Sequence, residues 1–292
     1  MRVRSSISIA AIALLGLASC TSSPTGLVSS TTSATATTAS QAQQTVKISG
    51  AGAAYPALEV LAKAYEAKSP TTKIVFLPTS QTTGGITAVK NDLADIGAVT
   101  RTLKADETSP KLVFREFAQD ALLVAIHNRE VGLTNLTTQQ LRAIYSGQIQ
   151  NWRGVGGPNR PIVVLDRPED ESAKKLLRQH YLGKDLKISK QAVVLKQEQE
   201  LAQTLANTPD TIGAFSLGYA TLHQLAVQRI SLNGVAPTVE NVQQGQYKLV
   251  RTLGLVVGST PSPPTQAFVK FIFSPEGQTA LNQGGFVPVN SQ

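Results

Sequence analysis

Short apolar runs alternate with longer amphipathic runs from residue 46 to the end of the chain. "VKISG" predicts a strand. In the following "PALEVLAKAYEAKS", the side chains of Leu58, Leu61, Ala62 and Tyr65 recur at the spacing of one helical face. "TKIVFLP" and "DIGAVT" predict two more strands, with a helix between them at "GGITAVKNDLA". This β-α-β order predicts an α/β protein with a parallel sheet covered by helices on both faces.

The alternation continues through the rest of the chain, without an internal repeat of fixed period. Strands are predicted at "ALLVAIHN", "PIVVLD", "QAVVL", "TIGAFS", "QRISL" and "YKLVRTLGLVVG". Helices are predicted at "ESAKKLLRQHYLG", "EQELAQTLANT", "ATLHQLAV" and "PTQAFVKFIFSPEGQTALNQ". The helix at "TTQQLRAIYSG" carries signals for both of its ends, because Thr137 and Gln140 form a capping-box pattern and Gly147 follows the last turn.

The first twenty residues do not fit this alternation. Arg2 and Arg4 precede an apolar stretch, residues 7–18, that is too short to span a bilayer, so residues 1–20 are predicted to be a signal peptide. The stretch ends in "LASC", which resembles the lipobox of bacterial lipoproteins, where the cysteine is lipidated and becomes the new N-terminus. Cys20 is the only cysteine of the chain. This predicts an exported protein that is anchored to a membrane through Cys20.

Residues 21–45 carry no charge and consist mostly of Ser, Thr and Ala, so they are predicted to be a flexible tether. The chain as a whole has a globular composition, with 41% hydrophobic and 16% charged residues. Its length of 292 residues is enough for two domains. Aromatic residues make up only 5%, which disfavours a sugar ligand.

The charge balance favours an anionic ligand or surface. Without Arg2 and Arg4 the chain has 25 basic and 19 acidic residues. Basic runs with interleaved aromatic residues are absent from the sequence, so nucleic acid is not a predicted partner.

Three loops join a predicted strand to a predicted helix and are candidates for a binding site: "GAGAAYP", "PTSQTTGG" and "DRPEDESAKK". Open α/β sheets bind ligands at the carboxyl ends of their strands, where the N–H groups of a helix start favour anions. "GAGAAYP" matches neither the dinucleotide-binding nor the P-loop pattern. Its small residues indicate either tight packing or close approach of a ligand to the backbone, and three such loops favour the ligand.

Longer motifs resemble one family. "GAGAAYP" resembles the opening Gly-Ala-Gly-Ala-Thr-Phe-Pro of phosphate-binding proteins that serve ABC importers. "LTTQQLRAIYSGQIQNWRGVGGPNRPIVV" and "FIFSPEGQTALNQGGFVPV" are very similar to its central and C-terminal segments. The likeness covers nearly all of residues 46–290. It implies a periplasmic-binding-protein-like fold of two lobes, each a sheet covered by helices, joined by two hinge strands that let the lobes close like a clamp.

The resemblance also implies the domain limits and the function. With hinge crossings near 119–122 and 250–254, lobe one comprises residues 46–121 and 251–292, and lobe two comprises residues 122–250. We expect a monomeric extracytoplasmic receptor without a cofactor, which binds inorganic phosphate between its lobes and delivers it to an ABC permease. A receptor for another oxyanion and a tethered sensor or adhesion protein remain alternatives.

Site residues follow from the matched motifs. The family's Thr in the first loop falls on Ala54, followed by Tyr55, whose backbone N–H remains available to a ligand. A ligand-binding Ser of the family falls on Thr82. The family's Asp, which accepts the proton of hydrogen phosphate, falls on Thr100, followed by Arg101. A Thr hydroxyl can accept that hydrogen bond but cannot repel sulfate as a carboxylate does.

The family's Arg-x-x-Gly-Ser-Gly-Thr loop matches "RPEDESAK" with one extra residue. The matched positions are Arg167, Ser172, Ala173 and Lys174. Arg167 is expected to make a two-pronged contact to an oxyanion, with Glu169 or Asp170 holding its orientation. Ser172 would donate its hydroxyl and N–H, and Lys174 would either add charge to the site or point to solvent.

Enzymatic chemistry is not predicted. Hydrolase triads need a His, but none of the three histidines, His127, His180 and His223, lies in a loop predicted to reach the cleft. A Gly-x-Ser-x-Gly motif and a metal-ligand spacing are also absent from the sequence.

Three further residues have structural as well as functional interpretations. Trp152 is expected to pack beside the Gly-Gly turn that follows it. Tyr55 either lines the cleft or caps the core. Arg101 either reaches the anion or pairs with Asp95 or Asp106.

Overall fold

The computed structural model describes residues 43–127 and 132–289. The predicted signal peptide, Cys20 and all but the last three residues of the predicted tether lie outside these ranges. Within them, the structure contains no helix that is both long and apolar enough to cross a membrane.

Helices and strands alternate along the described residues, with a few short turns of 3-10 helix. The strands are β1 (Gln44–Gly50), β2 (Thr72–Thr79), β3 (Ile96–Val99), β4 (Leu112–His127), β5 (Asn135–Leu136), β6 (Val163–Asp166), β7 (Val193–Val194), β8 (Thr211–Ser216), β9 (Val227–Leu232), β10 (Val250–Gly258) and β11 (Val287–Pro288). The helices are α1 (Tyr55–Lys68), α2 (Gln81–Lys90), α3 (Thr138–Ser146), α4 (Ser172–Leu177), α5 (Glu198–Asn207), α6 (Leu217–Leu222), α7 (Val239–Gln243), α8 (Pro263–Ile272) and α9 (Pro275–Gln283).

The sheet is mixed rather than parallel. Its main strand order is β2-β1-β3-β10-β4-β8-β6-β7, with β9 and β11 also paired to β4. The outer pairs β1–β2, β1–β3, β6–β7 and β6–β8 are parallel, as predicted. The central strands are antiparallel to their neighbours, because β4 carries the chain into the second half of the sheet and β10 brings it back.

The two larger hydrophobic cores lie on the two halves of this sheet, and a small third cluster contains Ile86, Val99 and Val256. One core contains Phe117 and Ala118 of β4 with Leu253 and Leu255 of β10. The other begins at Ala121 of β4 and includes the residues that precede β10. Each half therefore buries its own apolar side chains, and the two strands that connect the halves pass from one core to the other. The predicted class, α/β with two lobes and two connecting strands, is confirmed.

The two ends of α3 lie where the capping residues in the sequence predict them. The Oγ1 atom of Thr137 accepts a hydrogen bond from the N–H of Gln140 at 3.2 Å, and the Oε1 atom of Gln140 accepts from the N–H of Thr137 at 2.9 Å. Gly147 ends the helix in the left-handed conformation, with φ 78°. The capping box and the glycine stop are both confirmed.

Several other helices begin or end at capping residues, and the spacing of apolar residues does not indicate these positions. The predicted long C-terminal helix is two helices, because Ser274 caps α9 by accepting a hydrogen bond from the N–H of Gly277 at 3.2 Å, and Pro275 starts that helix. The predicted helix at "ATLHQLAV" instead begins at Leu217, since the hydroxyl of Ser216 caps it. "ESAKKLLRQHYLG" is α4 followed by a π-helical turn, Arg178–Leu182.

Candidate ligand-binding cleft

A cleft of about 660 Å³ lies between the two halves of the molecule. All three loops that the sequence predicts for a binding site line it. Its walls are formed by residues 51–53, 79–83, 100–102 and 104 on one side, 167, 170–172, 175–176 and 197–199 on the other, and 250–252 of β10 at the base.

Packing explains the small residues of the first loop. Gly50 has φ +129°, and a Cβ there would lie 2.2 Å from the carbonyl oxygen of Ala98. A Cβ on Gly52 would lie 2.7 Å from the Cγ2 atom of Thr79. The end of β1 therefore packs too tightly against β3 and the end of β2 for larger residues, although Gly52 and its neighbours also form part of the cleft wall.

Neither Ala54 nor Tyr55 is among the residues that line the cleft. Ala54 is fully buried, and its N–H donates to the carbonyl of Ala51 at 2.9 Å. The N–H of Tyr55 donates to the carbonyl of Gly52, so the predicted availability of this N–H is wrong. The hydroxyl of Tyr55 donates to the carbonyl of Leu77 at 2.8 Å, and burial raises its pKa to about 12. Tyr55 therefore caps the core.

Two hydroxyl groups from separate loops meet on the cleft wall. The Oγ1 atoms of Thr82 and Thr100 are 3.3 Å apart, and the N–H of Thr100 donates to the Oγ1 atom of Thr82 at 3.2 Å. Thr82 lies in the first turn of α2, and Thr100 directly follows β3. The fold thus brings together the two threonines that the resemblance selects.

Arg101 also lines the cleft, but its guanidinium is bound to a carboxylate. Its Nη1 and Nη2 atoms each lie 2.6 Å from an oxygen of Glu107, rather than pairing with Asp95 or Asp106 as one interpretation expected. The two hydrogen bonds from Arg101 lower the pKa of Glu107 to about 2. A ligand that approaches Arg101 would therefore share it with Glu107.

Arg167 is the buried cation on the opposite wall, with 6% of its surface exposed. Its Nη1 atom donates to the carbonyl of Leu195 at 2.8 Å, and its Nη2 atom lies 3.0 Å from the Oε2 atom of Glu171. Its Nε atom is buried without a hydrogen-bond partner. The carboxylate that contacts Arg167 is that of Glu171 and not that of Glu169 or Asp170, which corrects the prediction.

The start of α4 divides the predicted residues between cleft and core. Ser172 lines the cleft, whereas Ala173 is buried in the core. Lys174 is fully buried and forms an ion pair with Asp166, with its Nζ atom 5.7 Å from the ring centre of Tyr145. Both predicted positions of Lys174, in the site and in solvent, are wrong, because Asp166 at the buried end of β6 needs a cation.

The most extensive buried ion cluster at the cleft was missed by the sequence analysis. Arg251 of β10 is 3% exposed, and its Nε and Nη2 atoms lie 2.9 and 2.7 Å from the Oδ2 atom of Asp120 on β4. Its Nη1 and Nη2 atoms each lie 2.7 Å from an oxygen of Glu198 in α5. The cluster joins both connecting strands to the second half of the molecule at the base of the cleft.

The signal for this cluster was present in the sequence. Asp120 directly precedes the apolar run "ALLVAI", and Arg251 lies in the mostly apolar "LVRTLGLVVG"; charges buried in such strands need partners. Asp120 and Arg251 also face each other in the register of β4 and β10. The sequence therefore indicates that each of these charges needs a buried partner, whereas the pairing of the two residues follows only from the register of the strands.

The lining of the cleft carries more positive than negative side chains. The basic ones are Arg101, Lys104, Arg167, Lys175 and Arg251, and the acidic ones are Asp170, Glu171 and Glu198. This balance favours an anion. None of the histidines lines the cleft, and the described residues include no group of three or more His, Cys, Asp or Glu side chains arranged to hold a metal ion.

Trp152 is fully buried in the second core, and its carbonyl accepts a hydrogen bond from the N–H of Gly157 at 2.9 Å. The structural interpretation of Trp152 is confirmed.

Comparison with known proteins places this architecture in a family. The PBP superfamily domain matches residues 34–276. The phosphate-binding protein PstS of Borreliella burgdorferi is 27% identical over 257 residues, which cover 85% of this chain and 91% of that protein. PstS of Bacillus subtilis is 23% identical over 248 residues, covering 84% of this chain and 81% of that protein.

A solved structure shares the arrangement of the lobes. It is a crystal structure of a Clostridium perfringens protein assigned as a phosphate ABC transporter substrate-binding protein, with bound phosphate. It is 26% identical, superposes with a TM-score of 0.73, and the match covers 85% of this chain and 100% of that one. The chain belongs to the PBP superfamily.

Proposed function

We propose that this protein is an extracytoplasmic receptor that binds inorganic phosphate in the cleft and delivers it to an ABC permease, without chemistry on the ion. The names of its relatives support the ligand. The observation that carries the proposal is the Nε atom of Arg167, a buried donor without a partner on the cleft wall. An unpaired buried donor is costly, and an oxyanion supplies the missing acceptor.

Donors on both walls of the cleft suit a tetrahedral anion. Thr82 and Thr100 offer hydroxyls on one wall, and Arg167 and Ser172 offer a guanidinium and a hydroxyl on the other. A threonine hydroxyl both donates and accepts, so it can also take the proton of hydrogen phosphate. The cleft is much larger than one such ion, and closure of the lobes would bring the two sets of donors together around it.

We place lobe one at residues 46–121 and 251–292, and lobe two at residues 122–250. The change of core along β4 and β10 supports these limits. A single closing motion about the two strands would then bury the ion.

We also propose that the protein is exported, anchored to the membrane by a lipid on Cys20, and monomeric. The support for the anchor is the signal-peptide pattern that ends in "LASC". Cys20→Ser should move the protein from the membrane fraction to the soluble fraction, and light scattering on the soluble form should give the mass of one chain. Retention of the serine variant in the membrane would contradict the anchor.

Calorimetry tests the ligand. Protein stripped of ligand by unfolding and refolding should bind phosphate, and should bind sulfate more weakly, because a threonine hydroxyl can accept the proton of hydrogen phosphate and sulfate has no proton to offer. Arg167→Lys keeps the charge but loses the planar two-donor edge, so phosphate affinity should fall by about tenfold or more. Arg153→Lys, at an exposed position outside the cleft lining, is the matched control and should bind as the wild type does. Equal binding by all three proteins, or no phosphate binding by the wild type, would refute the proposal.

A further inference from the structure

A carboxylate of the protein itself already spans the cleft. The Oε1 atom of Glu171 accepts a hydrogen bond from the Nε2 atom of Gln81 at 2.8 Å, and its Oε2 atom lies 3.0 Å from the Nη2 atom of Arg167. Gln81 starts α2 on one wall, whereas Glu171 and Arg167 lie on the other. The side chain of Glu171 is 15% exposed, so it lies largely inside the cleft.

The backbone at Gln81 is in an unfavourable conformation. Gln81 has φ 61°, in the left-handed region that residues other than glycine, asparagine and aspartate rarely adopt. Such conformations persist where the surrounding structure holds them, and they cluster at ligand clamps and switch regions. Here the residue in this conformation donates the hydrogen bond that crosses the cleft.

The contact with Arg167 uses the edge that an anion would need. The Nε and Nη2 atoms form one edge of the guanidinium, and two oxygens of one anion can accept from both in parallel. Glu171 occupies Nη2 alone, while Nε has no partner. An oxyanion that takes both donors must therefore displace the carboxylate from Nη2.

The loop allows this displacement without a change of backbone. The N–H of Glu171 donates to the carbonyl of Pro168 at 3.1 Å, and its carbonyl accepts from the N–H of Lys175 at 3.0 Å. These bonds hold the main chain at the start of α4. Only the side chain has to rotate.

We propose that Glu171 is a built-in competitor for the oxyanion: its carboxylate links Arg167 to Gln81 across the cleft, and the ligand displaces it. The inference rests on the proposed function, because the displacing ligand is the phosphate assigned above. Glu171 then lowers the affinity of the cleft for phosphate. The hydrogen bond between Gln81 and Glu171 holds the two lobes together before the ligand binds.

The test is calorimetry with inorganic phosphate on the wild type, Glu171→Gln and Asp170→Asn. Glu171→Gln keeps the size of the side chain but weakens its bond to Arg167, so phosphate should bind about tenfold more tightly, which is near the lower end of what a hydrogen bond to a charged group contributes. Asp170→Asn makes the same change of charge one residue away in the cleft lining and should give a clearly smaller gain.

Each other outcome overturns the proposal. Equal gains in both variants would show a general effect of charge. An unchanged affinity of Glu171→Gln would show that the carboxylate does not compete. A weaker affinity would show that Glu171 orients Arg167 for the ligand or accepts the ligand's proton.

A second measurement does not depend on phosphate and separates this inference from the proposed function. Small-angle X-ray scattering on the ligand-free proteins should show larger radii of gyration for Glu171→Ala, which removes the acceptor of the hydrogen bond across the cleft, and for Gln81→Asn, whose shorter amide cannot reach across it. Asn tolerates the left-handed backbone at position 81. If the wild type binds no phosphate, the function fails, but an opening of both variants still supports the link. Unchanged radii overturn it.

Discussion

Replacing Arg251 with Met should destabilise the protein strongly. The change removes the cation that contacts both Asp120 and Glu198, which are 0% and 7% exposed, and leaves two carboxylates buried together. Breaking a buried ion pair from one side typically costs about 3–5 kcal/mol. Ser216 partly compensates, because its hydroxyl donates to Asp120 at 2.9 Å and its N–H to Glu198 at 3.3 Å.

We therefore expect a loss of about 4 kcal/mol in the free energy of unfolding. For a folded unit of this size that is a decrease in Tm of about 8–16 °C, small enough for the variant to remain folded. Differential scanning calorimetry at pH 7 measures it. Lys68→Met is the matched control, since Lys68 pairs with Glu276 at the surface, with side chains 57% and 58% exposed. That loss should be below about 1 kcal/mol.

The pH dependence identifies the cause of the loss. Burial already raises the pKa of Asp120, and without Arg251 both carboxylates should bind protons more readily in the folded state. The folded variant then takes up protons that the unfolded chain does not. Its loss of unfolding free energy relative to the wild type should therefore be large at pH 8 and become smaller towards pH 5. A variant as stable as Lys68→Met, or a deficit that is independent of pH, would refute this reasoning.

The remaining predictions concern stability. Glu107, whose pKa Arg101 lowers from 4.5 to about 2, contributes stability above pH 4.5 that is lost as the pH falls towards 2; Glu107→Gln should be less stable at pH 7 and meet the wild type near pH 2 in urea unfolding. Lys174→Met should cost about 3–5 kcal/mol in the same assay by leaving Asp166 unpaired, and adding Asp166→Asn should recover most of it. Gly50→Ala should cost more than about 2 kcal/mol by thermal unfolding, because φ is +129° and the new Cβ would lie 2.2 Å from a backbone oxygen.

Much of the fold was predictable because its signals are local. The apolar periodicity of a strand or helix and the capping residues of α3 act within a few positions of the chain. The convergence of three loops on one cleft also followed, since the carboxyl ends of parallel strands in each half lie at the same edge of the sheet.

Properties that depend on contacts distant in sequence were not predictable. Asp120 and Arg251 are 131 positions apart, and only the pairing of β4 with β10 brings them together. The antiparallel centre of the sheet has the same origin. The small residues at Gly50 and Gly52 were attributed to a ligand, but their nearest neighbours belong to other strands, which the order of residues in the loop does not reveal.

The misplaced site residues of α4 have one physical explanation, the helical period. Residues 172, 175 and 176 of α4 line the cleft, while Ala173, Lys174 and Leu177 are buried, as a helix of 3.6 residues per turn requires. A linear motif carried over position by position assigns neighbouring residues to one site, although adjacent helical positions point about 100° apart. Ser172 therefore remained on the cleft wall and Lys174 did not. The same reasoning would have directed attention to Glu171, the residue just before the helix, whose side chain reaches the cleft from the extended backbone that precedes α4.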